Sequence, residues 1–189
     1  MTRIIAGFAG SLALSVPKAG TRPTSDRVRE AIFSALEARD AIDGARVLDL
    51  YAGTGSLGLE AASRGARSVT LVDSSSSAVR VARANAALVE GRTPRGQVLE
   101  LVVTGQSVQA FLGSSQQSWD LVFLDPPYEL GEVELQQNLD ALAGRLAPDA
   151  VVLLERSSRS AEPVWPPGIS LDRRKDYGDT TLWWAAAGA

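Results

Sequence analysis

The sequence contains no cysteine and no histidine. Disulfides, thiolate nucleophiles, Cys/His zinc sites and any Ser-His-Asp triad are thereby excluded. So is the side chain that ordinarily acts as a general base near neutral pH. Any chemistry falls to carboxylates, backbone groups, Tyr, Lys or a bound cofactor, and no metal is expected. Long apolar runs are missing as well: none reaches the roughly 18–20 residues that span a bilayer. The opening MTRIIAGFAGSLALSVPKAG has an early Arg and a broken apolar stretch. Its glycines and the basic segment that follows fit a secretory leader poorly, so a cytoplasmic protein with no membrane partner is expected. Internal repeats and low-complexity linkers are also absent. With 189 residues, 45% of them apolar, the chain fits one globular domain with a small appendage.

Positive charge is scarce overall, with a net charge of −3, but it is not evenly spread. Residues 1–39 carry six bases (Arg3, Lys18, Arg22, Arg27, Arg29 and Arg39) against three acids, a local balance of +3 that leaves −6 for the rest. A second basic cluster is Arg173-Arg174-Lys175. A polyanion would meet these clusters rather than the net charge.

Hydrophobic periodicity orders the rest. The spacing predicts strands at RVLDL (from Arg46), SVTLVD, QVLELVV, WDLVFL and AVVLLE, each a short apolar run closed by turn residues. Between them SLGLEAASRG, SSSAVRVARANAALVE, a short segment around Ser107–Leu112, and EVELQQNLDALAGRL read as helices. A helix over about Asp26–Ala38, with Thr24 or Ser25 as cap, precedes the first strand, its buried stripe being Val28, Ile32, Phe33 and Leu36. ISLDRRKDYGDTTLWWAAA predicts an antiparallel hairpin about a Tyr-Gly-Asp turn. Trp183 and Trp184 should point to opposite faces, one core and one half-covered at an edge, neither of them functional. Alternating strands and helices imply an α/β fold, a doubly wound and mostly parallel sheet covered on both sides.

In such sheets ligands bind beyond the carboxyl ends of the strands. The first such end is DLYAGTGSLG, Asp49 to Gly58. Glycines let the backbone turn tightly and approach a ligand, and the helix that follows presents its N-terminal amides. Asp73 ends the next strand, where an acid can accept bonds from a ribose diol or cap the helix that follows. A glycine loop and such an acid suit either NAD or S-adenosylmethionine (SAM). The fourth strand ends in Asp125-Pro126-Pro127-Tyr128, and two prolines stop both helix and central strand. This turn reaches the same edge as the glycine loop.

DLYAGTGSLGLEA resembles the SAM loop of Rossmann-like methyltransferases, and DPPY resembles the [D/N/S]-P-P-[Y/F] motif of enzymes that methylate planar nitrogens. Together with RIIAG (Arg3–Gly7), RPTSDRVRE and LVFLDPPYE, the chain is similar to the bacterial 16S rRNA guanine-N2 methyltransferases over nearly its whole length. The resemblance implies a Rossmann-like SAM-dependent methyltransferase fold with a mostly parallel seven-stranded sheet and a C-terminal antiparallel hairpin. It implies a SAM site at Asp49, Tyr51, Ala52, Gly53, Thr54, Gly55, Gly58, Asp73 and Asp125. Gln106 or Ser107 would stand where many relatives have an acid for the adenine amino group. Catalysis would rest on Asp125, Pro126, Pro127 and Tyr128. Residues 1–22 would form an RNA-contacting extension, a β-hairpin, and residues 23–189 the methyltransferase domain. Arg3, Lys18, Arg22, Arg27 and Arg29 are the candidate RNA contacts. The expected substrate is 16S rRNA within a small-subunit particle, and the expected enzyme a monomer. DNA adenine-N6 methylation would use the same motif, whereas a protein glutamine methyltransferase normally has Asn at Asp125. An NAD-dependent oxidoreductase would leave DPPY unexplained, and a non-catalytic SAM-binding module would leave it idle.

Overall fold

The computed structural model describes residues 2–16 and 25–188. Two short strands, β1 (Thr2–Arg3) and β2 (Ala13–Leu14), pair antiparallel and are followed by α1 (Asp26–Glu37). Then come β3 (Arg46–Leu50), α2 (Ser56–Ser63), β4 (Ser68–Asp73), α3 (Ser76–Glu90), β5 (Glu100–Gly105), α4 (Val108–Ser114), β6 (Trp119–Leu124), α5 (Glu132–Ala143) and β7 (Leu146–Ser157). A hairpin of β8 (Ile169–Tyr177) and β9 (Thr180–Ala187) closes the chain. The main sheet has seven strands in the order β5-β4-β3-β6-β7-β9-β8. β3 to β7 run parallel, and β9 is antiparallel to both of its neighbours. Strand order reverses between β3 and β6, which opens a crevice at their carboxyl ends.

Local chemistry explains the boundaries. Ser25, Ser75 and Ser107 cap α1, α3 and α4, each hydroxyl accepting from the amide three residues on. β5 begins at Glu100, not at Gln97 as periodicity suggests. Its partner β4 begins at Ser68, which pairs with Glu100, so residues before Glu100 have no ladder to join. α5 ends at Ala143 with Gly144 as its cap, so that Leu146 starts β7 instead of extending the helix.

Each face of the sheet has its own core. One packs α1, α2 and α3 around Phe33, Leu59, Leu71, Phe123, Leu153 and Trp184. The other packs α4 and α5 around Leu50, Val122, Leu139, Leu154 and Trp183. The two tryptophans do point to opposite faces, but neither is half-covered: they are 1% and 2% exposed. β8 takes the edge position that would have left one open, and arginines lie over both rings. Arg39 and Arg173 sit over Trp184 and Arg174 over Trp183, at 5.0–5.2 Å.

The amino-terminal hairpin is welded to the domain. Ile4, Ala9 and Leu14 are buried in the first core. Glu60 of α2, wholly buried, accepts from the amides of Ile5 (2.6 Å) and Ala6 (3.0 Å) and from Arg64 Nε (2.7 Å). Gly7, at φ +80°, lies so close to Ser63 that a Cβ would stand 1.8 Å from its carbonyl oxygen. Only glycine fits there.

Candidate active site

The site grows from the carboxyl ends of four parallel strands. Beyond β3 the chain turns through Tyr51, which holds a left-handed φ of +63°, and Gly53 and Gly55 at +56° and +78°. Left-handed backbone suits glycine and strains tyrosine. Tyr51 is tethered: its hydroxyl accepts from Asn138 Nδ2 of α5 at 2.7 Å. Burial, with the negative charge of Glu134 nearby, pushes that phenol up to about 12. Gly58 lets α2 pack tightly on the sheet, since a Cβ there would reach Leu71, Val69 and Asp49 at 2.5–3.2 Å.

Two acids fix the loop from either side. Asp49, 1% exposed, accepts from the Gly58 amide at 2.9 Å. Burial raises its carboxyl to about 7; the Gly58 bond opposes the rise and the charge of Asp73 adds to it. Asp73 accepts from the Gly53 amide at 2.8 Å with one oxygen and from the Ser75 amide at 2.8 Å with the other. It therefore shapes the loop and starts α3 as well as facing the crevice. Each oxygen keeps a second lone pair for a ligand hydroxyl. Asn85, fully buried, ties the loop to the segment after β2: its amide donates to Thr54 O (2.9 Å) and Ser15 O (3.0 Å) and accepts from Ser15 N (2.8 Å).

These donors and acceptors fit SAM. The N-cap of α2, Gly55, has no side chain, and while the Gly58 amide is taken by Asp49, the Ser56 and Leu57 amides ahead of it are left for an anionic group; a Cβ at Gly53 would meet only the Tyr51 carbonyl, at 4.0 Å. Asp49, Tyr51, Ala52, Gly53, Thr54, Gly55, Gly58 and Asp73 are gathered on this one edge. Gln106, exposed, follows Gly105, which pairs with Asp73. Ser107 beside it is committed to capping α4 through Ala110 N at 3.2 Å.

β6 delivers the second half. Asp125 still follows the ladder, its amide reaching Leu50 O at 3.4 Å, and is half-buried beside a buried Pro126. Tyr128 is 59% exposed, an aromatic face held out at the rim. The turn after it is closed by Leu130 N on Pro127 O at 3.0 Å. Arg156 at the end of β7, 4% exposed, pins that turn by donating to Leu130 O (3.2 Å) and Glu132 Oε1 (2.8 Å). Sequence reasoning missed Arg156, and also Glu155, which is 9% exposed, one residue beyond the Leu124–Leu154 pair and hence level with Asp125. Neither Asp125 nor Glu155 is without a partner.

The basic candidates separate. Arg3 is exposed, 3.9 Å from Asp26, and Arg27 is exposed. Arg29 corrects the expectation of an RNA contact: it is wholly buried, its guanidinium donating to Arg3 O (2.6 Å) and Asp26 Oδ1 (2.8 Å). Its guanidinium is thus committed inside the chain and is not held out to a phosphate. Lys18, Arg22 and Thr24 lie outside the described residues; the cap of α1 is Ser25, whose hydroxyl accepts from Val28 N. Among the described residues there is no cluster of His, Cys, Asp or Glu suited to a metal ion, and no helix is long and apolar enough to cross a membrane.

Comparison with known proteins agrees with this geometry. A family model described as conserved hypothetical protein 95 matches residues 2–186. The ribosomal RNA small subunit methyltransferase D of Escherichia coli strain K12 is 35% identical over 177 residues, 93% of this chain and 85% of that protein. The protein of the same name from Haemophilus influenzae is 32% identical, covering 93% and 89%. Among solved structures, Escherichia coli yhhF superposes with a TM-score of 0.82 at 32% identity, covering 98% of this chain and 97% of that one.

Proposed function

The chain belongs to the family of the small-subunit ribosomal RNA methyltransferase D proteins, the conserved hypothetical protein 95 family, and from that premise we infer what it does. It is a SAM-dependent ribosomal RNA methyltransferase, and its target is the exocyclic N2 of one guanine in 16S rRNA. The observation that carries this reading is the Asp125–Tyr128 turn, held rigid beside the glycine loop by Leu130 N and Arg156. SAM, when bound, supplies an electrophilic methyl group. It would be held by Asp49, the Gly53–Gly58 loop and Asp73, with Gln106 at its adenine end.

The chain's own residues do the rest. An exocyclic nitrogen is a poor nucleophile because its lone pair is delocalised into the ring. The Asp125 carboxylate and the Pro126 carbonyl accept its two N–H bonds and draw it toward a tetrahedral geometry. Pro126 and Pro127 fix that carbonyl in place, so the gain is one of positioning. The proton shed on methylation passes to Asp125 or to water, and no histidine is needed. Tyr128 offers its exposed ring to the base. Guanine N2 lies on the pairing edge, so the base must be unpaired or flipped to enter.

Arg3, Lys18 and Arg22, in an extension over residues 1–22, are the proposed phosphate contacts, together with Arg27 on α1 of a methyltransferase domain over 23–189. A protein of net charge −3 has little general attraction for RNA. Recognition therefore depends on this cluster and on a shaped target, and activity should fall steeply with salt. The enzyme acts as a monomer in the bacterial cytoplasm, better on a protein-bound small-subunit particle than on naked RNA. The test is radiolabelled methyl transfer to the particle, to naked 16S rRNA and to duplex DNA, followed by nucleoside analysis. N2-methylguanine from the particle is the expected product; N6-methyladenine, or labelled duplex DNA, would overturn the reading.

A further inference from the structure

The register of the sheet draws one line of acids across the rim. Asp49 pairs with Leu71 on one side and Phe123 on the other, and Phe123 pairs with Leu153. Residues two further along each strand project from the same face. Those residues are Asp73 on β4, Asp125 after β6 and Glu155 on β7. Neighbouring strands are spaced by roughly 5 Å, so Asp125 and Glu155 are immediate neighbours, while Asp73 lies two strands away on the opposite side. Asp49 and Asp73, the cofactor side, thus stand to one side of Asp125. A base that presents its nitrogen to Asp125 from the other side lies over β7, where Glu155 is the side chain on that face.

Glu155 interrupts an apolar pattern. Leu153 below it and Leu182, its partner on β9, belong to the first core. A carboxylate 9% exposed at such a position costs free energy unless it is hydrogen-bonded. Next to it, Arg156 donates on the other face to Leu130 O and Glu132 Oε1.

We propose that Glu155 is the specificity-determining residue of the base pocket, accepting the N1–H of guanine while Asp125 and Pro126 hold N2. This rests on the guanine-N2 reading above. Guanine presents two adjacent donors, N2–H and N1–H, to two adjacent carboxylates. Adenine offers its N6 amine beside an N1 lone pair, which would face Glu155 with like charge and no hydrogen. Asp125 alone accepts either amine; the pair accepts only guanine. Glu155 already has a partner in the chain, and guanine shares it, since a carboxylate has about four lone-pair positions.

The discriminating probe is 2,6-diaminopurine, which keeps the N2 amine but carries a lone pair at N1. The methylated guanine is first mapped on undermethylated small-subunit particles. Particles are then reconstituted with semi-synthetic 16S rRNA bearing guanine or 2,6-diaminopurine at that position. The wild-type enzyme should favour guanine by at least tenfold in kcat/KM. Glu155→Gln, whose amide can donate to the N1 lone pair, should reduce or invert that ratio while SAM affinity and melting temperature stay as in the wild type. A wild type that makes N2-methylguanine yet accepts both bases equally overturns the role of Glu155 alone, with no variant needed. So does a Glu155→Gln enzyme that loses turnover on both bases by the same factor. A wild type that yields another methylated nucleoside overturns the guanine reading, and this proposal with it.

Discussion

Asp49 offers an unusually clean test of the site's electrostatics, because the chain has no histidine and no cysteine. Few other groups change charge between pH 5 and 7.5. Burial lifts the Asp49 carboxyl from 3.8 to about 7 in the folded chain, whereas in the unfolded chain it ionises near 4. Between those values the folded state holds a proton that the unfolded state has released. Stability from this group is therefore greatest in acid, declines as pH rises toward 7 and levels above it. At about 1.4 kcal/mol per pH unit, the full penalty for an ionised Asp49 is on the order of 4 kcal/mol.

Asp49→Asn cannot ionise, yet its amide oxygen can still accept from Gly58. Its NH2 group is left buried and unpaired, a cost of about 1–3 kcal/mol at every pH. The informative quantity is the difference between variant and wild type, in which the other carboxylates cancel. From pH 5 to pH 8 that difference should move in favour of the variant by about 3 kcal/mol. Urea unfolding of both proteins at the two pH values measures it. A difference that stays constant within about 0.5 kcal/mol would mean that Asp49 ionises at its ordinary value, and the burial argument would fail. Ligand binding has the opposite sign. The proposed contact of Asp49 with the cationic amino group of SAM requires the ionised form, so SAM affinity should rise by up to tenfold per unit from pH 5.5 to 7, and the rise should vanish in Asp49→Asn.

Asp125→Ala should keep SAM affinity within a fewfold and lose about two orders of magnitude in turnover. Asp125→Asn should retain partial activity because its amide oxygen still accepts one N–H, and single-turnover methyl transfer separates these outcomes. Tyr128→Ala should cost about tenfold in kcat/KM through lost stacking, with Tyr128→Phe milder; equal losses would move that role from the ring to the hydroxyl. Glu60→Ala should destabilise the fold by about 3–5 kcal/mol, since it strips a buried acceptor from Ile5 N, Ala6 N and Arg64. A urea midpoint near wild type would show that the amino-terminal hairpin is merely appended.

The weld at Glu60 also shows where the sequence stopped speaking. The glycine loop, Asp73 and DPPY were legible because each sits at the end of a strand whose period is local. Glu60 reads in SLGLEAAS as an ordinary helix acid, and Arg29 reads as surface charge on an amphipathic helix. Their partners, Ile5 and Ala6 in one case and Arg3 O in the other, are 26 to 55 residues away. Glu155 reads as the last letter of AVVLLE. Its place beside Asp125 depends on β7 lying next to β6 in register, and that follows from pairing, not from pattern. A one-residue slip would turn Glu155 to the opposite face and bring Arg156 toward the base instead. The same distance explains why residues 1–20 are a poor target for deletion. Removing Ile4, Ala9 and Leu14 would open the core under α2, so a loss of methylation would not report on RNA contact. Arg3→Ala and Arg27→Ala, both at exposed side chains, leave that core intact and confine the change to charge.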